Sequence, residues 1–387
     1  MSSFFSIKWL FGIASVVMVF SLWGCNKEES AAEETTIETS EIEVPSLPDQ
    51  VFGYSDLVFP AAWLQDPALQ LFGGFGSDIA VTDHGATLGR VLFYDAQLSQ
   101  DGTVSCSTCH AQERAFTDGQ TKSVGVSGNE THRNAMALFN VGYQRRLFWD
   151  VRTIGIENQV LQPIEHPDEM AMDLDELTER LTGMEHYKAL FIDAFGDEEI
   201  TEDRIASALS QFVLCMHSYS SRFDAGLEND FIHFTAAEVL GKDIFFNGDS
   251  RCNQCHSGKN LFSTQPFING LEVDYAASGD AGVGALTNDP FDDGRFKTVS
   301  LRNIGLTAPY MHDGRFASLR DVVDFYSDDI QPHAYLDERL GVAGFGVPGQ
   351  APYQLNLTEE EREGLVAFLK TFNDTIMPTA EWLSDPF

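Results

Sequence analysis

Cations are scarce in this chain. It has 24 Lys and Arg against 59 Asp and Glu in 387 residues, a formal net charge of −35. Binding to a phosphate backbone needs clustered cations, so nucleic acid is excluded as a partner. The acidity keeps the chain soluble and can steer a basic partner toward it. Adaptation to a salty habitat would leave the same signature. A bilayer-spanning run is also lacking. The apolar stretch Trp9–Phe20 is too short to cross a membrane. There are only six cysteines, and their spacing implies no disulfide framework. A fixed-period repeat architecture is absent too.

What is present begins at the N-terminus. Lys8, the run Trp9–Phe20 and the segment LWGC ending at Cys25 read as a signal peptide over residues 1–24. Gly24 before Cys25 resembles a lipobox, which makes Cys25 the lipid-bearing residue. Ordinary cleavage nearby would leave Cys25 unmodified. Residues 25–50, rich in Glu, Ser and Thr, read as a disordered tether. The expectation is an exported lipoprotein facing the periplasm, touching membrane only through its lipid. The run CNKEE after Cys25 resembles surface-export signals of bacterial lipoproteins and leaves cell-surface display open.

Four of the remaining cysteines sit in two pentapeptides, CSTCH at Cys106–His110 and CNQCH at Cys252–His256. On a helical turn, positions i, i+3 and i+4 share one face. Two thiols can then bond the vinyl groups of a haem while the imidazole binds its iron. This is the c-type haem attachment pattern. A four-cysteine zinc site is the alternative, but it has no use for a His directly after each second Cys. Cys215, the sixth cysteine, borders the apolar face of a helical pattern and reads as a buried small hydrophobe.

The surroundings of the two motifs are similar. LGRVLFYD (Leu88–Asp95) precedes the first and LGKDIFFN (Leu240–Asn247) the second. RN follows at Arg133–Asn134 and again at Arg302–Asn303. This predicts an all-α protein of two cytochrome c-like domains, at 51–228 and 229–387, with the boundary near Asp224–Asp230. Each domain holds one covalent haem, with long loops between helices. A 3.6-residue period marks helices at Leu174–Leu181 and Ile205–Met216. Thr358 and Glu361 form a capping box for the last helix. The Gly/Asp-rich stretch 278–294 reads as a long loop.

Several longer segments resemble the bacterial di-haem cytochrome c peroxidase family, which includes the MauG-type enzymes. They are LGRVLFYDAQLSQDGTVSCSTCHAQERAFTDG, RNAMALFN, FWDVR, the Glu157–Met170 segment ending in HPDEM, and LRNIGLTAPYMHDGRF. The resemblance runs from about Ala80 to Phe372. It implies reduction of hydrogen peroxide at the N-terminal haem, with electrons from a small donor protein such as a cytochrome c entering at the C-terminal haem. It implies that Trp149 relays electrons between the haems, and that Gln159 and Glu169 form the distal pocket. Glu169 would shuttle protons, and Pro163 would pack near the same haem. Taken alone, Trp149 is a buried aromatic and Glu169 a solvated loop acid. The resemblance also implies a calcium ion held by Asn134, Thr307 and Pro309, oxygen ligands that suit calcium. A homodimer, frequent in the family, stays open.

Two positions depart from the peroxidase pattern. Many members cap the N-terminal haem with a histidine where this chain has Val126, which cannot bind iron. His132 in the same loop could substitute only if the loop were rebuilt. Peroxidases place a methionine as sixth ligand of the C-terminal haem, and the matching residue is Tyr326. A tyrosine there resembles MauG-type enzymes, whose implied activity is oxidation of another protein by long-range electron transfer. A phenolate favours ferric iron, whereas a thioether raises the potential. The alternative is a core Tyr326 with Met311 supplying sulfur, and Met311 is expected too near Pro309 to reach easily. A non-enzymatic di-haem electron carrier is the third reading. It requires both axial sites filled.

Overall fold

The computed structural model describes residues 43–56, 79–343 and 349–387. The signal peptide and Cys25 lie outside the described residues. Residues 43–387 form one compact unit. Of the expected tether, residues 43–50 are described. Ser46 donates its N–H to Pro386 O at 2.7 Å, and Leu47 packs against the first core.

The architecture is helical. The longer helices of the first half are α1 (Asp83–Tyr94), α5 (Leu174–Thr182), α6 (Glu185–Phe195) and α7 (Glu202–Leu214). Between α1 and α5 lie three single turns, α2 (Cys106–Cys109), α3 (Ile156–Gln159) and α4 (Gln162–Glu165). The second half has α8 (Arg222–Asn229), α9 (Ala236–Asn247), α10 (Cys252–Cys255), α11 (Tyr275–Ser278), α12 (Gly284–Thr287), α13 (Leu319–Asp324) and α14 (Glu359–Lys370). The stretch expected as a long loop thus contains α12, and α11 ends at its first residue. Two-residue strands form two small antiparallel ladders, β1 (Arg146–Leu147) with β2 (Thr153–Ile154) and β3 (Pro266–Phe267) with β4 (Phe296–Lys297).

Helix starts follow local chemistry. Thr82, Asp173 and Thr201 each accept an N–H of the first turn of α1, α5 and α7. Capping boxes open α9 at Thr235 and α14 at Thr358. The α7 helix ends two residues before Met216, and Cys215 is its buried C-cap, with Sγ 3.1 Å from Gln211 O.

The repeated LG dipeptides have a packing reason. α1 packs chiefly on α7, and α9 on α14. A Cβ at Gly89 would stand 1.9 Å from Ala208 O, and one at Gly241 would stand 2.0 Å from Gly364 O. Glycine is therefore required where each helix pair crosses. Aromatic rings fill the space beside each crossing. Phe93 meets Phe116 and Phe212 edge-on, while Phe368 and Phe372 cross Phe223 and Phe245. Each such pair adds roughly 0.5–1.5 kcal/mol beyond its buried area.

Buried side chains group accordingly. One core runs from Tyr54 to Met216, and a second runs from Phe223 to Phe372. The chain end returns to the first core through Met377, Ala380 and Leu383. A smaller third cluster, Ile268, Leu271, Tyr275, Phe296, Phe325, Ile330 and Leu336, packs against Trp149 and Tyr326.

Candidate functional site

Each C-x-x-C-H motif forms one helical turn with its histidine as C-cap. His110 Nδ1 lies 2.8 Å from Phe116 O, and His256 Nδ1 lies 3.1 Å from Leu261 O. A carbonyl can only accept, so each Nδ1 carries the proton and Nε2 keeps its lone pair. That arrangement orients an imidazole for iron. Burial lowers both pKa values, that of His256 to about 4, so both rings stay neutral.

The four motif thiols are free, not paired as disulfides. Burial pushes Cys106 up to about 12 and Cys109 and Cys255 up to about 11. Cys252 is raised for the same reason. Thiols held protonated in apolar surroundings suit thioether bonds better than a thiolate cluster. Among the described residues, no three His, Cys, Asp or Glu side chains gather as a metal site, so the zinc alternative lacks a ligand set. Behind the second motif lies a mainly apolar cavity. Cys252, Cys255 and His256 face it together with Val322, Val323 and Leu365. These residues fit a haem held at one edge by two thiols and from below by an imidazole.

Trp149 lines that same cavity and donates Nε1–H to Asn134 O at 2.9 Å. Thr117 and Met136 also line it. Thr117 follows Phe116, the His110 partner, and the Met136 backbone also interacts with the His110 ring. The first histidine therefore lies just behind the wall of the second cavity. Arg133 ties this junction together through Asp150 at 2.6 Å and Asp280 at 2.7 Å.

Glu169 lies beside the first motif. Its carboxylate acts electrostatically on both Cys106 and Cys109. Its pKa is raised by burial, against the opposing pull of His166 and Arg152. His166 Nδ1 is 3.9 Å away. The Val126 N–H donates to Glu169 O at 2.9 Å, so the residue in the capping-histidine position is held against this acid. A Cβ on Gly125 would stand 2.5 Å from Glu169 O, which keeps the contact close. Gln159 ends α3, half-buried, and Pro163 lies in the first turn of α4, its carbonyl accepting from Met170 N at 3.2 Å. His132 is largely exposed and turned toward Asp280 at 3.5 Å.

Tyr326 sits in a π-helical turn (Phe325–Asp329) that continues α13. Such turns re-aim a side chain within a helix and recur at functional sites. Tyr326 lines the cavity with His256, and so does Met311. Asn269 Nδ2 meets both, donating to Tyr326 OH at 3.4 Å and lying 3.8 Å from Met311 Sδ. Met311 therefore reaches the cavity despite its closeness to Pro309. Asn269 is itself held by Tyr275, whose OH donates to Oδ1 at 3.2 Å. Asn134, Thr307 and Pro309 are all among the residues that line this cavity. The Asn134 amide donates to Gln120 O at 2.8 Å.

Asn269, Arg152 and Lys297 escaped the sequence reading. Arg152 lies in FWDVR, and its charge was the available signal. Asn269 carries no signal by spacing, because its partners lie 42 and 57 residues away.

The comparisons agree with this geometry. The family model for di-haem cytochrome c peroxidase matches residues 83–231. The methylamine utilization protein MauG of Methylorubrum extorquens is 33% identical over 294 residues, covering 75% of this chain and 78% of that protein. The cytochrome c551 peroxidase of Nitrosomonas europaea is 34% identical over 240 residues, covering 62% and 71%. Among solved structures, a MauG-like protein associated with microbial copper homeostasis superposes with a TM-score of 0.69 at 30% identity, covering 90% of this chain and 99% of that one. The di-haem peroxidase BthA of Burkholderia thailandensis gives 0.62 at 26% identity, covering 80% and 92%.

Proposed function

The chain belongs to the di-haem cytochrome c peroxidase family, and from that premise we propose that it reduces hydrogen peroxide to water with electrons from a small redox protein such as a cytochrome c. The balance is one peroxide, two electrons and two protons to two waters. The family implies two haems. Cys106 and Cys109 would hold one through thioethers with His110 on its iron. Cys252, Cys255 and His256 would hold the other. Bound haem supplies iron that exchanges electrons and, where an axial position is open, accepts peroxide.

The chain's own residues do the rest. Glu169, whose carboxyl pKa is raised by burial, shuttles a proton to the leaving oxygen. Val126 leaves the space beside it without an imidazole. The half-buried Gln159 orients the peroxide and Pro163 packs beside it. Trp149, on the wall between the motifs, shortens the electron path. The observation that carries this reading is the half-buried Glu169 beside the first thiol pair and against Val126.

The remaining expectations belong to the same reading. Asn134 Oδ1 and the carbonyls of Thr307 and Pro309 would hold a calcium ion, a reading that rests on the family motif and on oxygen ligands that suit calcium. Division into two domains, 51–228 and 229–387, draws on the two separate cores, but the boundary near Asp224–Asp230 falls inside α8, whose Phe223 already belongs to the second core, and Met377, Ala380 and Leu383 rejoin the first. Export as a lipoprotein anchored at Cys25 to a periplasm-facing membrane rests on the N-terminal sequence alone.

A second reading is a MauG-like oxidase acting on a protein substrate. Tyr326 in the second cavity favours it. The test is a ferric spectrum of the purified protein, then peroxide addition, then turnover with a reduced cytochrome. A high-spin haem that responds to peroxide and steady consumption of donor support the peroxidase. A peroxide response without donor turnover supports the second reading. Two low-spin haems inert to peroxide in both oxidation states leave only an electron carrier.

A further inference from the structure

Lys297 is buried, 8% exposed, in strand β4. It lines the same cavity as His256 and Trp149. Its backbone N–H donates to Trp149 O at 2.8 Å, and its Nζ donates to Arg146 O at 2.8 Å. The side chain therefore reaches from β4 to β1.

An ammonium carries three donors and a full charge. Among the described residues only one donor is used, and its acceptor is a neutral carbonyl. Among the described residues, no carboxylate forms an ion pair with Lys297. The carboxylate on the cavity wall, Asp337, is already paired with Arg339 at 2.6 Å. Arg251, another cation of this wall, is spent on the carbonyls of Arg339 and Gly341 and stacks on Tyr353. A buried charge without a counter-charge is costly, and burial pushes the Lys297 ammonium down to about 7. The described residues thus leave this cation incomplete, in a cavity that fits a cofactor carrying propionate carboxylates.

We propose that Lys297 is the counter-charge for a propionate of the haem held at Cys252, Cys255 and His256. This rests on the haem assignment made above and adds a tuning residue to it. A positive charge at the haem edge stabilises the added electron, so it raises that haem's potential. It acts against an axial tyrosinate, which lowers it. Placed beside Trp149, the charge sets how readily the second haem gives its electron to the first.

The test uses the full-length protein with its haems. The mass of the purified wild type is measured first, because fewer than two attached haems would refute the haem assignment itself. Spectroelectrochemical titration then compares wild type with Lys297→Gln and Lys297→Arg. Gln keeps a neutral donor for Arg146 O and removes the charge. The expected result is a lower midpoint potential for the second haem in Lys297→Gln, an unchanged first haem, and a near wild-type value in Lys297→Arg. With two haems bound, a second-haem potential that is equal in all three proteins overturns the proposal. Should Lys297→Gln fail to fold, Lys297→Met provides the same comparison.

Discussion

Replacing Glu169 by Gln removes one ionisable proton and little else. The side chain keeps its size and can still donate a hydrogen bond, so the change isolates proton delivery. General acid–base catalysis contributes about 10²–10⁴-fold, or roughly 3–5 kcal/mol of barrier. The Glu169 side chain is 29% exposed, so water can partly replace it. A loss near the lower end, about 100-fold in kcat, is therefore expected. The pH profile supplies the sign. Burial raises the Glu169 pKa, and only the protonated carboxyl can deliver a proton. Wild-type activity should fall as pH rises through that raised value, and this limb should vanish in the variant. Stability separates chemistry from unfolding. A carboxyl with a raised folded-state pKa contributes stability below its unfolded value and loses it as pH rises through the folded value. Glu169→Gln should therefore melt no earlier than wild type at pH 8. Steady-state peroxide turnover, haem absorbance and thermal melts make the comparison. Full activity in Glu169→Gln at wild-type haem content would refute the assigned role.

Other outcomes follow from the same structure. Tyr326→Met should raise the midpoint potential of the second haem, because a thioether favours ferrous iron, while Met311→Leu should leave it unchanged; spectroelectrochemistry reads both. Arg302 is fully buried and pairs with Asp224 at 2.7 Å. Arg302→Met should cost about 3–5 kcal/mol in denaturant melts, since it strands the Asp224 carboxylate. Burial raises the Asp224 pKa, but Arg302 and Ser221 outweigh it and the net shift is downward. The stability from that shift is present above the unfolded carboxylate value and is lost as pH falls through the folded one. The variant should therefore show a flatter acid limb. Gly241→Val should destabilise by about 1–3 kcal/mol or more, because its Cβ would stand 2.0 Å from Gly364 O.

Much of the local structure was legible in the residues. Thr358 and Glu361 announce α14, and the 3.6-residue period locates α5 and α7. The repeat around Gly89 and Gly241 marked two similar units. It did not say that each glycine sits under a partner backbone, because Ala208 and Gly364 lie more than a hundred residues downstream. The stretch 278–294 read as loop because α12 is a single turn with no apolar period to show. Met311 looked too near Pro309 along the chain to reach the haem easily. The fold instead brings it to the same amide as Tyr326.

By itself the sequence determined whatever depends on spacing within one turn. Two cysteines and a histidine at i, i+3 and i+4 share a face wherever the chain goes, so both motifs were readable as candidate haem attachment sites. Tertiary structure alone decided what surrounds them. It set Glu169 beside Val126 and the first thiols, and it buried Lys297 between Trp149 and Arg146. The reason is physical. Helical geometry is local and repeats with the residue count. Burial, counter-charge and pKa depend on which distant segments pack together, and no spacing records that.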